Sequence, residues 1–228
     1  MRFFPLTLSI AIGCGLLVAA DEKTKTAERL EDSADLFTEI MGSPDRGIPQ
    51  DLLDKAHCAV VVPGLKKGAL VFGGKYGRGF AICRAQGGTG WGPPAAIRIE
   101  GGSFGLQIGF SSSDVILLVM NERGMNKLTT SKFTIGAEAT AAAGPVGRDA
   151  SAQTDAMMHA EILSWSRSKG LFGGVSLDGA TLRNDLDENR AMYGQKWTSK
   201  QILGSGAKPP DSASKLISAL NKYSMKGR

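Results

Sequence analysis

The sequence predicts an α+β fold: a strongly curved or barrel-like antiparallel sheet with helices at the N- and C-terminal ends. Three observations carry this expectation. Short stretches of apolar alternation follow one another between Cys58 and Gly179, too closely spaced for crossover helices between most of them. Glycines punctuate those stretches, as they do where strands bend or another backbone approaches. Clear helical spacing is grouped near the two ends of the chain.

Met1-Arg2-Phe3-Phe4 opens the chain, followed by an apolar run from Leu6 to Ala20 and an abrupt charged stretch at Asp21-Glu22-Lys23. A basic start, an apolar run and Val18-Ala19-Ala20 before the charge predict a cleavable secretory leader over residues 1–20. The run is shorter than the ~20 residues a membrane span needs. Cys14 offers a lipoprotein alternative, but Ala11-Ile12-Gly13 matches the usual leucine-led box poorly. The expectation is therefore an exported, periplasmic or peripherally membrane-associated protein. Residues 21–228 then form one domain, with a core over about 27–194 and a helical extension over 195–228.

From Lys23 to Met41 the spacing is helical. Ala27, Leu30, Ala34, Phe37 and Met41 share a face widened by Leu36 and Ile40, opposite Glu28, Arg29, Glu31, Asp32, Asp35 and Glu39. Helices that lie on membranes carry Lys and Arg on the polar face. This face is mostly acidic, which favours packing on the domain's own core over lying on a bilayer. Pro49 starts a short helix through Leu52, Leu53 and Ala56.

Cys58 to Val62 reads as a short strand stopped by Pro63-Gly64, and Lys66-Lys67 as part of a turn. A glycine-punctuated strand follows from Ala69 to Arg84. Gln86 to Gly92 turns, and Trp91-Gly92-Pro93-Pro94 leads into a strand containing Arg98-Ile99. From Ser103 to Phe110 the chain alternates, with Phe104, Leu106, Ile108 and Phe110 on one side. Ser111 to Asp114 reads as a turn, Val115 to Met120 as a strand covered on both faces, and Glu122 to Ser131 as a short helix. Phe133, Ile135, Ala137, Ala139 and Ala141 alternate. A strand starts near Ala160 and runs through Trp165, with a helix as the alternative. After a turn at Lys169-Gly170, Leu171, Gly173, Val175 and Leu177 alternate with Phe172, Gly174, Ser176 and Asp178. Asp185 to Tyr193 is helical, and Lys208-Pro209-Pro210 precedes a last helix presenting Leu216, Ile217, Leu220 and Tyr223.

Formal net charge is +5 at pH 7. That is mildly basic: it permits attraction to anionic headgroups, and with no basic run interleaved with aromatics it gives no reason to expect nucleic acid. No Walker A spacing or βαβ dinucleotide fingerprint is present. Gly101-Gly102-Ser103-Phe104-Gly105 matches Gly-x-Ser-x-Gly, with Asp114 or Asp155 and then His159 in hydrolase order, but a strand follows where the nucleophile elbow needs a helix. His57 and His159 lack partners at zinc-ligand spacing, so no metal is expected. Asp185-x-Asp187-x-Asn189 starts like a calcium loop and fails at Arg190 and Lys196; helix capping by Asn184 or Asp185 is the plainer account. The sequence reads as a non-enzyme without a cofactor. Cys58 and Cys83 are either a disulfide between neighbouring strands or two buried free thiols.

The remaining surface chemistry is basic. Lys66, Lys67, Lys75, Arg78, Arg167 and Lys169 each stand near a turn or glycine. Convergence of those turns at one end of the sheet makes a patch suited to lipid headgroups; without convergence they are scattered solvated cations.

Several stretches, in order, resemble the SYLF domain family of lipid-binding proteins, whose eukaryotic members include endocytic actin regulators. They are Lys66-Lys67-Gly68, Trp91-Gly92-Pro93-Pro94-Ala95, Gly102-Ser103-Phe104-Gly105-Leu106-Gln107-Ile108-Gly109 and Gly144-Pro145-Val146-Gly147-Arg148. Ser166 to Gly179 and Asn189-Arg190-x-x-Tyr193 complete the set. The resemblance implies a non-enzymatic domain that binds acidic or phosphoinositide-type phospholipids through an N-terminal amphipathic helix and basic surface residues. Ala27 to Met41 occupies that helix position, with an acidic polar face where the family role calls for a basic one. With the leader, it implies an exported bacterial member that meets an anionic phospholipid surface and no actin. Self-association or an envelope protein partner, in a scaffolding role, is the alternative.

Overall fold

A computed structural model describes residues 13–43, 47–69, 72–85, 87, 89–104, 109–147, 159–204 and 206–224. Among the described residues nine strands form one sheet: β1 (Cys58–Ala69), β2 (Phe72–Cys83), β3 (Ala95–Phe104), β4 (Gly109–Val119), β5 (Lys132–Thr134), β6 (Ala141–Ala143), β7 (Ile162–Ser168), β8 (Leu171–Gly174) and β9 (Thr181–Asn184). The path is β5-β9-β3-β2-β1-β4-β7-β6, with β8 also on β7. Every pairing is antiparallel except β6 on β7.

β5 and β6 stand at opposite ends of that path, yet only residues 135–140 separate them in the chain. Six residues reach at most about 20 Å, so the sheet must curl until its edges approach. The result is the expected strongly curved α+β architecture, a half-barrel with helices at both ends.

The curl creates two cores, and the strands alternate between them. Val60, Val62, Val115, Leu117 and Val119 point inward, where Phe133, Ile135, Leu177 and Leu182 from the curled edge close over them. Ala59, Val61, Ile116, Leu118 and Trp165 point outward under helices. That explains the unbroken apolar run at the end of β4: both of its faces are buried.

The outer core is covered by α1 (Gly13–Met41), α2 (Gln50–Lys55) and α6 (Ser214–Tyr223). α1 buries Leu30, Ala34, Leu36, Phe37 and Ile40, as its acidic polar face predicts. It runs unbroken through Ala20-Asp21. The first twelve residues of the expected leader and Asp155 lie outside the described residues. α3 (Glu122–Leu128) is capped by Asn121, and α4 (Leu186–Tyr193) by Asp185, whose side chain accepts from the Glu188 N–H. α5 (Ser199–Gly204) completes the helices.

Cys58 and Cys83 face each other across β1 and β2 and form a disulfide within the inner core. Several resemblance-bearing stretches prove to be architecture. Trp91 is buried, donates through Nε1 to the Ser224 hydroxyl, and carries the Arg84 guanidinium 4.1 Å from its ring centre. Asn189 accepts from the Ala96 N–H at 2.7 Å and donates to the Trp197 carbonyl at 2.7 Å. Gly144 lies against Trp165 so closely that a Cβ there would stand 2.0 Å from a ring carbon. The indole N–H donates to Pro145 O at 2.8 Å, so the Gly144-Pro145 step is the lid of that ring.

Four local expectations need correction. β1 does not stop at Pro63-Gly64: a bulge between Val62 and Leu65 absorbs them, and the strand continues to Ala69. Lys66 and Lys67 are therefore strand residues. Ser111 to Asp114 also belong to a strand, β4, held by pairing to β1. The alternation from Leu171 keeps strand geometry only to Gly174, after which Val175 donates its N–H to Ser164 O and the chain turns at Gly179. Finally, alternation across Phe133 to Ala141 is broken by a turn at Gly136. The middle of the Ser103–Phe110 stretch, residues 105–108, lies outside the described residues.

Candidate functional site

The first four strands extend past both cores at one end of the sheet. There Lys66 opposes Tyr76 and Ser112, Lys67 opposes Lys75 and Ser111, and Gly68 opposes Gly74 and Phe110. Side chains opposite one another share a face, so Lys67 and Lys75 project together from the inner face, while Lys66, Tyr76 and Phe110 project from the outer one. Gly68 leaves room for Phe110, whose ring would lie 2.9 Å from any Cβ placed there. The ring is otherwise bare: Phe110 is 86% exposed.

Lys67 and Lys75 are like charges placed directly opposite, an arrangement that disfavours the sheet unless something offsets it. Partial burial and then the Lys67 charge hold the Lys75 ammonium below its usual range, with Asp178 pulling the other way. A phosphate or carboxylate between the two lysines relieves that repulsion.

The β7–β8 hairpin reaches the same end. Its two-residue turn, Lys169-Gly170, has φ of 50° and 79°. Positive values at both central residues are the geometry that matches strand twist. Register places Ser168 opposite Leu171, and the Ser168 hydroxyl contacts Ser112 O at 3.4 Å. Lys169 is exposed, and Leu171 is 78% exposed. Among the described residues, four large apolar side chains are exposed, and three of them, Tyr76, Phe110 and Leu171, stand at this end.

Arg78 and Arg167 have a different setting. Both lie on the outer face under α1. Arg78 Nε donates to Asp185 Oδ2 at 2.7 Å and lies 3.1 Å from Glu188 Oε2, while Nη1 pairs with Glu22 Oε1 at 2.9 Å. Burial works against the charge of Arg78, but Asp185, Glu188 and Glu22 outweigh it and raise its pKa. Arg167 pairs with Asp114 at 2.9 Å and with Glu39 at 2.5 Å. The two arginines thus grip α1 at two points, through Glu22 in its first half and through Glu39 close to its C-terminal end. Lys215 of α6 holds Glu31 and Asp35 between them. The acidic face of α1 is a docking face for cations of the protein itself.

Glu188 is the extreme member of that network. It has no exposed surface, pairs with Arg29 and Arg78, and is pushed by burial up to about 7 against the pull of both guanidiniums.

Of the six cations singled out from sequence, Lys66, Lys67, Lys75 and Lys169 come to one end of the sheet; Arg167 lines a pocket beside Lys169 there but is held by Asp114 and Glu39, and Arg78 is held by the carboxylates around α4. Sequence reasoning missed the apolar partners Tyr76, Phe110 and Leu171. The available signal was their position beside Gly74, Gly109 and Gly170, where alternation continues but no bulky neighbour exists to cover a ring. Ser103 sits within β3, paired with Gly73, and the next described element is again a strand. Among the described residues no cluster of side chains suits a metal ion, and no helix is long and apolar enough to cross a membrane.

A sequence model of the Ysc84 family, described as Las17-binding protein actin regulator, matches residues 100–223. LAS seventeen-binding protein 3 of Saccharomyces cerevisiae is 31% identical over 201 residues, covering 87% of this chain and 43% of that protein. SH3 domain-containing protein PJ696.02 of Schizosaccharomyces pombe is 34% identical over 177 residues, 76% of this chain and 41% of its own length. SH3 domain-containing YSC84-like protein 1 of Homo sapiens is 31% identical over 208 residues, 90% of this chain and 59% of its own. The chain thus spans 43% of the yeast protein and 59% of the human one.

Proposed function

Because the chain belongs to the Ysc84, or SYLF-domain, family, we propose that it is a non-enzymatic module that binds anionic phospholipid surfaces peripherally, through the glycine-rich end of its sheet. One observation carries this reading: the exposed Phe110, Tyr76 and Leu171 share that end with Lys66, Lys67, Lys75 and Lys169. Aromatic and aliphatic side chains partition into the headgroup boundary while adjacent lysines meet its phosphates. The helix α1 takes no direct part; it stays docked and supports the sheet. Arg78 and Arg167 serve that docking and act on lipid only through it. With residues 1–20 as a leader, the mature domain of residues 21–228 works in an envelope compartment against bilayer phospholipid.

The test is co-sedimentation of the protein with phosphatidylcholine vesicles, with and without phosphatidylglycerol, at low and high salt. Binding that requires phosphatidylglycerol and weakens with salt supports the reading. Equal recovery with neutral vesicles, or none with anionic ones at low salt, overturns it.

A second reading, an envelope scaffold acting through a protein partner or self-association, draws support from the relatives named as LAS seventeen-binding proteins. Light scattering across a concentration series separates it: a monomer that binds vesicles favours lipid, and an oligomer indifferent to vesicles favours the scaffold.

A further inference from the structure

The register of the sheet aligns four cations that lie far apart in the sequence. Lys132 on β5 is opposite Arg183 on β9, Arg183 is opposite Arg98 on β3, and Arg98 is opposite Arg78 on β2. Directly opposed residues share a face, so the four form a ladder across the outer face, one rung per strand. Like charges in opposed positions disfavour a sheet. Four in succession are a cost that compensating anions must meet.

Compensation is complete only at one end. Arg78 has Glu22, Asp185 and Glu188. Arg98 and Arg183 share a single carboxylate, Glu100, at 2.7 and 3.0 Å. The buried Arg98 Nε makes no aligned hydrogen bond even so. Lys132 makes no ion pair among the described residues. At the Arg78–Arg98 step the ladder forms part of a cleft of about 720 Å³ between α1, α4 and the sheet. Lys23 and Arg190 stand in its wall, also without an ion pair among the described residues, and Tyr76 stands in it too. The wall carboxylates are engaged, Glu22 and Asp185 by Arg78, and Asp187 by Lys196, with the Arg190 charge also acting on it.

We infer that this cleft is a binding site for a small phosphate-bearing molecule, held by Arg98 and Arg190 in the cleft, with Lys23 at its wall and Arg183 and Lys132 drawing its charge along the ladder. Guanidinium forks match phosphate oxygens two at a time, and a cleft of this size takes a molecule larger than bare phosphate. The site goes beyond the membrane reading and does not depend on it: it uses none of Lys66, Lys67, Lys75, Lys169 or Phe110. Its ligand is either a soluble phosphate ester or the headgroup of a single lipid molecule, which present the same chemistry to the arginines.

The experiment is calorimetric titration of the full chain with glycerol 3-phosphate, and with dihexanoyl phosphatidic acid below its micelle concentration. Saturable binding to either supports the site; a preference for the lipid identifies a headgroup, and equal affinity identifies a soluble ester. Arg190→Gln and Lys132→Gln change exposed side chains outside both cores, so folding is retained. Arg190→Gln is expected to weaken binding about tenfold, the effect of one charge-assisted hydrogen bond, and Lys132→Gln about threefold through charge alone. Lys67→Gln is expected to leave it unchanged. No binding of either probe, binding indifferent to Arg190→Gln, or binding abolished by Lys67→Gln overturns the inference.

Discussion

Replacing Phe110 by serine separates membrane binding from folding more cleanly than any other change in the chain. The ring is 86% exposed and packs on little besides the Gly68 backbone. Removing it is expected to change stability by no more than about 0.5 kcal/mol, as for other surface substitutions. At a bilayer the accounting reverses. A phenylalanine side chain carries roughly 150 Å² or more of burial-competent surface, and about half enters an interfacial layer. At about 25 cal/mol per Å² that loss is roughly 2 kcal/mol, or about thirtyfold in partition coefficient. The assay is vesicle co-sedimentation of both proteins, with urea unfolding as the stability control. Leu186→Ser is the matched comparison, because Leu186 is the fourth exposed large apolar residue among the described residues and lies on α4, away from the tip. Phe110→Ser binding as tightly as the unaltered protein, or Leu186→Ser losing as much, refutes the reasoning.

Three further predictions concern the scaffold. Glu188 has a folded pKa raised to about 7 above its ordinary 4.5 by burial, so the folded state binds its proton more tightly than the unfolded one. Its contribution is unfavourable above pH 7 and is relieved as pH falls toward 4.5, by about 3 kcal/mol in all; Glu188→Gln should flatten that part of the stability–pH curve, and an unchanged curve contradicts the assignment. Gly144→Ala drives a Cβ to within 2.0 Å of the buried Trp165 ring and should cost about 3 kcal/mol in urea unfolding; a loss near zero would show that the Gly144-Pro145 lid yields freely. Asn189→Ala strands the Ala96 N–H and the Trp197 carbonyl, with an expected loss of about 2–4 kcal/mol and a lowered melting temperature as the readout.

Sequence legibility followed the length of the signal. α1 and the end of β4 were readable because Leu30, Ala34, Phe37 and the run Val115 to Val119 repeat one period over several residues. The acidic face of α1 even told that it docks on protein, though not on what; Arg78, Lys215 and Arg167 lie 39 or more positions away from it and were invisible as its partners. The continuation of β1 through Pro63-Gly64 was missed because a bulge uses the same residues as a turn. Serines 111 to 113 were missed as strand because the polar end of a strand carries no apolar alternation. The exposure of Phe110 contradicts what its alternation with Phe104 implied, since periodicity reports which side a residue faces and not whether anything covers that side. Choice between a disulfide and free thiols at Cys58 and Cys83 needed the register that sets them opposite one another. The ladder of Lys132, Arg183, Arg98 and Arg78 depends wholly on register across four strands, and no window of sequence contains it.

The central claim, that the glycine-rich tip meets the bilayer, is tested most directly by tryptophan placed at position 110. Trp91 and Trp165 are buried and Trp197 is half-buried against Tyr193, so the Phe110→Trp protein is read against the unaltered one by difference. Addition of phosphatidylglycerol-containing vesicles should shift the added emission to the blue, and brominated lipid should quench it. An added emission that stays red and unquenched while the protein co-sediments would place the contact elsewhere on the molecule and contradict the claim.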